Sequence, residues 1–220
     1  MTSRYTAVSV VPGTLTVDRA PVTITTASET KVYDGMSLPT NTDAPTVSGT
    51  FYEEYISTYS TAEWFSDVGS SENSGDISWG GANPNNYSVT RNFGTLTIKK
   101  LNLNINLGSM TLYRDKDTGT LYLAESTDPK LTYGNGSHAG EAASASGGGS
   151  FASRTFTFNL FTGATITLSM NVPDGITQTG SYQFVVGYSV SGSSSSNFGI
   201  SLSNGVINVV PLPEAVDPMD

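Results

Sequence analysis

Tyr87-Ser-Val-Thr-Arg-Asn-Phe-Gly94-Thr-Leu-Thr-Ile98-Lys-Lys-Leu-Asn-Leu-Asn-Ile105 decides the fold, because versions of it occur three times in the chain. Near the N-terminus the chain reads Tyr5-Thr-Ala-Val-Ser-Val-Val-Pro-Gly13-Thr-Leu-Thr-Val17, followed by Pro21-Val-Thr-Ile-Thr25. Near the C-terminus it reads Asn197-Phe198-Gly-Ile-Ser-Leu-Ser-Asn-Gly205-Val-Ile-Asn-Val209. In each copy an aromatic residue leads into an alternating run, a glycine follows, and a second alternating run ends on a β-branched residue. Period-two alternation places one face of a strand toward a core. Each copy is therefore read as a β-hairpin, with the glycine (Gly13, Gly94, Gly205) at its turn. The glycines stand 94 − 13 = 81 and 205 − 94 = 111 residues apart. A recurring unit at that spacing predicts tandem modules.

Outward from the repeat, residues 1–19 are expected to be the end of an upstream repeat or a borrowed strand. The first module is placed at 20–100, the second at 101–210 with a Gly/Ser-rich insertion over 134–150, and a linker or tail at 211–220. The expected fold is all-β, two tandem Ig-like β-sandwich modules end to end. The alternative is a pair of β-grasp-like modules with one short helix, for which only Phe51 to Phe65 leaves room. Val68 to Gly75 is read as a turn and Ser191 to Ser196 as a serine loop.

Composition narrows the function classes. The chain has 220 residues, 13% charged, 37% hydrophobic, with 23 glycines and no cysteine. Abundant Ser, Thr, Asn and Gly with enough Val, Ile, Tyr and Phe for a core is a pattern of extracellular β-modules, not of disorder. The lack of cysteine removes disulfide and thiolate chemistry. A formal charge of −9 argues against nucleic acid and anionic membranes as partners. No apolar run reaches the roughly 18 residues of a membrane span, and Met1-Thr-Ser-Arg is not a signal peptide. The chain opens inside a repeat ending, so it is expected to be cut from a longer protein.

Lys31-Val-Tyr33-Asp34-Gly35, then Asp67-Val-Gly69 with Glu72-Asn73, then Asn86-Tyr87 and Gly94-Thr-Leu-Thr-Ile98, resembles the YDG and MBG-type tandem repeats of bacterial surface proteins. The match covers the first module nearly end to end. The second departs from it: Arg114-Asp-Lys-Asp117 stands where the Tyr-Asp-Gly turn would fall, and Phe198 replaces the closing tyrosine. The resemblance implies a non-enzymatic repeat of a large exported adhesin-like protein at the bacterial cell surface, with neighbouring repeats as its first partners. It supplies no ligand and no cofactor.

The chemistry-bearing side chains have plain readings beside the functional ones. Tyr52, Tyr55, Tyr59, Trp64 and Trp79 are candidates for an aromatic platform that would meet a host or microbial glycan or protein, against ordinary strand packing. Binding through the longer second module is the other form of that alternative. Tyr33 and Tyr87 are expected to anchor the fold, rings buried and hydroxyls on backbone. His138, in Gly-Asn-Gly-Ser-His-Ala-Gly, is a loop residue without the rigid setting a catalytic base needs. Asp115-Lys-Asp117-Thr-Gly119 is read as a hairpin turn, lacking the third acidic position and closing glutamate of a calcium loop. Glu53, Glu54, Glu63, Asp67, Glu72 and Asp76 form a loose acidic set, read as solvated. Lys31 and Asn86 are the pair to inspect for an isopeptide link. Neither enzyme nor metal protein is predicted.

Overall fold

The computed structural model describes residues 9–39, 43–49, 55–203 and 205–214. Among these the chain is all-β, with only two single-turn 3-10 segments, Pro84–Asn86 and Ser195–Asn197, and no α-helix. The helix of the β-grasp alternative is not found: Ser57–Ser60 (β4) is a strand, and 51–54 lie outside the described residues. No described helix is long and apolar enough to cross a membrane.

The repeat survives in the strand pairing, to the residue. Ala20–Thr25 (β1) runs parallel to Tyr87–Asn92 (β7), with Ala20 opposite Tyr87. Glu29–Val32 (β2) runs parallel to Gly94–Lys99 (β8), with Glu29 opposite Leu96. In the second unit Leu101–Asn106 (β9) runs parallel to Phe198–Ser203 (β18), with Leu101 opposite Phe198. Ser109–Arg114 (β10) likewise pairs Val206–Pro211 (β19), with Met110 opposite Ile207. The opening strands are related by 101 − 20 = 110 − 29 = 81 residues and the closing strands by 198 − 87 = 207 − 96 = 111. Both units therefore share one scheme, and the second carries its extra length between the two halves. Gly69–Asn73 (β5), antiparallel to β8, has its counterpart in Gly180–Gln183 (β16), antiparallel to β19. Residues 69–73, expected to be a turn, are thus a strand.

The quoted repeat is not a hairpin. The strands β7 and β8 do not pair with each other; each pairs with a different opening strand, in a different sheet. The burial pattern explains why. In β7 the inward residues are odd-numbered, Tyr87, Val89 and then Phe93, and they pack in a core with Val22, Ile24, Ile77 and Ala82. In β8 they are even-numbered, Leu96 and Ile98, and belong to a second, larger core. One chain thus buries opposite faces on two cores as it crosses between sheets. The opening strands cross beside it at Thr26–Ser28.

Gly94 sits at that crossing with an ordinary φ, so no turn conformation requires it. What it supplies is clearance: a Cβ there would lie 2.3 Å from the Ala27 carbonyl oxygen and 2.5 Å from Ser28 N. Its amide donates to Thr26 Oγ1 at 2.9 Å, and the Thr95 amide donates to Ser28 Oγ at 3.0 Å, which ties the two crossing strands together. At Gly205 the crowding comes from side chains instead, with a Cβ 2.8 Å from Leu107 Cδ1. The close backbone approach at Gly94 is a standard reason for glycine in a strand.

The remaining strands fill out the sheets. Thr46–Gly49 (β3) flanks β1, and Gly75–Ser78 (β6) pairs β4. Lys130–Tyr133 (β12) flanks β9, and Leu121–Ser126 (β11) flanks β10. Ser144–Gly149 (β13), Ser153–Asn159 (β14), Thr165–Asn171 (β15) and Val185–Ser191 (β17) form an antiparallel meander. Gly147, Gly148 and Gly149, expected in a flexible insertion, are paired residues of β13.

The largest core draws on both sequence units. Tyr33, Leu38, Leu96 and Ile98 from the first pack with Leu101, Leu103, Ile105, Leu131, Phe156, Phe158, Ile166, Leu168 and Phe198 from the second. The sequence boundary at Lys100 therefore runs through a shared core. A third cluster, Met110, Leu112, Ile207 and Val209, lies under the last sheet.

Candidate functional site

The motif residues of the first unit and the closing motif of the second meet at one place. Asn197, the last residue of its 3-10 turn, is the only polar residue among those described that is fully buried, at 0% exposure. Its carboxamide is satisfied from the first unit and its own loop: Oδ1 accepts from Val68 N (2.9 Å), and Nδ2 donates to Asp67 Oδ1 (2.7 Å) and Ser193 Oγ (3.1 Å). Ser193 Oγ also bonds the Tyr33 hydroxyl at 2.7 Å. The Tyr33 ring meets Phe198 edge-on, with centroids 5.5 Å apart at 85°. A buried amide is tolerated only when its donors and acceptor are matched, and here they are.

The Lys-x-Tyr-Asp-Gly motif is built to present that tyrosine. Lys31 lies in β2, and its Nζ reaches Asp34 Oδ1 at 2.7 Å and the Ser37 carbonyl at 3.3 Å. The same carboxylate oxygen accepts from Met36 N at 2.9 Å, closing a turn in which Gly35 takes φ +82°. An aspartate bonding the amide two residues on is the usual turn device, and glycine carries the left-handed step without a Cβ penalty. The turn leaves Tyr33 pointing from the strand end into the second unit. Its hydroxyl reaches a serine side chain there, not backbone as expected. The ring of Tyr87 is buried as expected, in the smaller core with Trp79 beside it at 5.3 Å. Lys31 is engaged by Asp34 and Ser37, while Asn86 stands exposed on the lead-in to β7.

The aromatic set falls into different surroundings. Trp64, 63% exposed, lines a groove of about 510 Å³ with Lys31, Asp34, Met36 and Pro39. Trp79 is half-buried against Tyr87, so its ring flanks a core. Tyr59 lies on β4 opposite Asp76, and the Tyr55 backbone passes Gly80. Tyr52 lies outside the described residues. Trp64 thus sits in a concave, open site.

The other singled-out groups have structural work. Asp115 Oδ1 accepts from the amides of Asp117 (2.8 Å) and Thr118 (3.0 Å), and Gly119 takes φ +72°, the hairpin turn expected. Those amides hold the Asp115 carboxyl below its ordinary range. Asp76 is also lowered, by the Ile77 amide and then by Arg91, whose Nη2 lies 3.0 Å away. His138 is less free than its glycine-rich loop suggests: it stacks on Phe161 with centroids 4.1 Å apart and bonds Glu141 Oε2 at 2.7 Å. Of the acidic set, Asp67 is bound to Asn197 and Asp76 to Arg91, while Glu53 and Glu54 lie outside the described residues.

Comparison with known protein families, with curated proteins and with solved structures finds no match to this chain. The internal repeat is thus the comparison available, and it is informative about the contact just described. By the 111-residue offset of the closing strands, Asn86-Tyr87 is the counterpart of Asn197-Phe198 (197 − 86 = 111). The asparagine missed in the sequence is therefore a repeat position, legible as Asn followed by an aromatic at the start of each closing strand.

Proposed function

We propose that the chain is an architectural segment, a spacer of the tandem-repeat kind found in bacterial cell-surface adhesin-like proteins, whose task is to hold successive modules in fixed order and resist extension. The observation that carries it is the pairing of terminal strands. In both units the entering strand lies parallel to the closing strand over six residue pairs, Ala20–Thr25 with Tyr87–Asn92 and Leu101–Asn106 with Phe198–Ser203. Tension applied along the chain then slides β1 past β7 and β9 past β18. All the hydrogen bonds of a ladder are loaded together in that geometry, instead of opening one by one as in a peeled hairpin. The Asn197 contact and the shared core add coupling between the units, so one cannot turn freely on the other. Single-molecule extension from the two ends tests this. Rupture should be abrupt and at high force, governed by the unfolding rate; gradual extension at low force would count against a load-bearing role.

A second function is favoured by one feature, the exposed Trp64 beside Met36 in an open groove, which suits a sugar ring or an apolar side chain of a surface partner. Glycan-array binding that is lost in Trp64→Ala would establish it. Trp79→Ala is a poor probe, since removing a ring packed on Tyr87 perturbs the fold as well.

A further inference from the structure

The repeat relation leaves two features of the first unit without the cover their counterparts have. Thr14-Leu15-Thr16-Val17 corresponds to Thr95-Leu96-Thr97-Ile98 by the 81-residue offset. Leu96 and Ile98 are 0% and 1% exposed, clasped in the sheet between β2 and β5; Leu15 and Val17 are 90% and 86% exposed and lie in no strand. Asn86 is exposed, whereas its counterpart Asn197 is fully buried by the Asp67-Val68 turn of the unit before it. Both absent covers have one source in the covered case. The strand that pairs β8 in parallel, the strand that pairs it antiparallel, and the turn that grips Asn197 all belong to the unit N-terminal to the contact.

We propose that Thr14–Val17 and Asn86 together form the docking site for a preceding module of the same kind, one carrying a Lys-x-Tyr-Asp-Gly strand and an Asp-Val-Gly turn. The module's Lys-x-Tyr-Asp-Gly strand adds parallel to Thr14–Val17, as β2 adds to β8. Its Asp-Val-Gly turn then closes over Asn86 with the two bonds Asn197 makes to Asp67 and Val68. Leu15 and Val17 fold onto the core of Val22, Ile24 and Tyr87, as Leu96 and Ile98 do onto that of Leu103 and Ile105. A second copy of this chain is not the occupant, because its Tyr33 and Asp67 are already engaged by Ser193 and Asn197. The proposal rests on the architectural function above and specifies its partner.

The test extends the chain by joining a copy of residues 20–93 directly before Gly13, so that Gly13–Val17 must supply the strand the copy lacks. In the parent chain the Leu15 and Val17 amides should exchange at nearly the unprotected rate; in the extended chain they should slow by about a hundredfold or more. Asn86→Ala should leave the parent's denaturation midpoint unchanged and lower that of the extended chain. Replacing the aspartate of the Asp-Val-Gly turn in the added copy by alanine removes one of the two bonds and should give a smaller loss, and the double variant should lose no more than Asn86→Ala alone. Fast amides in the extended chain, an added copy that takes up no structure, or an Asn86→Ala effect equal in both chains would overturn the proposal. Protection of Leu15 in the parent that rises with its concentration would overturn the choice of occupant. The extension experiment on the parent is separate, so a load-bearing chain that fails to dock a preceding module remains distinguishable from a failure of the architectural function itself.

Discussion

Three glycines occupy one repeat position, and alanine at each should have a different cost because their surroundings differ. At Gly94 an added methyl would sit 2.3 Å, 2.4 Å and 2.5 Å from Ala27 O, Ala27 C and Ser28 N, all backbone atoms in a crossing strand. Relief requires moving that strand by about 1 Å, since carbon contacts are optimal near 3.5 Å or beyond. The movement disrupts the bonds from Gly94 N to Thr26 Oγ1 and from Thr95 N to Ser28 Oγ. Overpacking costs about 1–3 kcal/mol and each lost bond about 1 kcal/mol, so Gly94→Ala should lose roughly 3–5 kcal/mol. At Gly205 the obstacles are side-chain atoms, Leu107 Cδ1 at 2.8 Å, which can rotate away, and Leu107 Cβ at 3.1 Å and Phe184 Cδ2 at 3.3 Å, which need shifts of only a few tenths of an ångström; about 1–2 kcal/mol is expected. At Gly13 nothing lies within 4 Å, and the expected change is within about 0.5 kcal/mol. Urea denaturation of the three variants reads the order directly. Gly94→Asn adds a discriminating arm: asparagine is accepted at left-handed turn positions but meets the same wall at a crossing. Equal losses at positions 13 and 94, or a harmless Gly94→Asn, would refute the clearance argument.

Asn197→Ala leaves the Val68 amide, and the Asp67 carboxylate beside it, without their partner, and should cost about 2–3 kcal/mol at the denaturation midpoint. Tyr33→Phe removes only the bond to Ser193 and keeps the ring on Phe198, so a loss near 1 kcal/mol should appear in the same titration. Stability should fall with acid in a set direction: the Asp76 and Asp115 carboxyls titrate in the folded chain below the ordinary 3.8, so their stabilisation is complete above that value and is lost as pH falls through the lowered ones. Asp115→Asn should flatten that acid limb while leaving the slope above pH 5 unchanged, as pH-dependent melting would show. Trp64→Ala should shift the melting temperature little, because the ring is mostly in water, whereas Trp79→Ala should lower it clearly.

Strands with one buried face are mostly legible; β12 is an exception, since only Leu131 and Tyr133 mark its buried face. Leu101, Leu103 and Ile105 alternating with asparagines gave β9, and Val22 and Ile24 gave β1, because period-two burial writes itself into sequence. The pairing was not legible in the same way, and glycine was the reason. An alternating run, a glycine and a second run fits a hairpin, but it also fits two strands that cross between sheets. The parity of the apolar residues marks the change of face. Tyr87, Val89 and Phe93 are odd and Leu96 and Ile98 even; Phe198 and Ile200 are even and Ile207 and Val209 odd. A slip of one residue means the buried face has changed sides. A tight turn or a bulge would also shift the parity, but here the two runs lie in different sheets and serve two cores, even at Asn204-Gly205 where the dipeptide itself signals a turn. At the candidate site, Lys31, Tyr33, Asp34 and Gly35 announced a turn, but nothing local announced Asn197. Its partners in the first unit are 129 and 130 residues away, and only its repeat position marks it.

That placement of a polar side chain also has a physical reason. An apolar contact between two sheets is indifferent to small slides, because dispersion and burial change little over an ångström or two. The contact of Leu96 and Ile98 with the second unit is of that kind and supplies adhesion without a fixed position. Asn197 is different, since its three bonds to Val68, Asp67 and Ser193 are made together or leave buried groups unpaired. Each unpaired group costs about 1–3 kcal/mol, so a displaced arrangement loses more from this one residue than it could regain by sliding the core. The hydrophobic contact thus holds the units together while the amide selects one position along it, which is what a spacer requires if orientation is to pass from module to module.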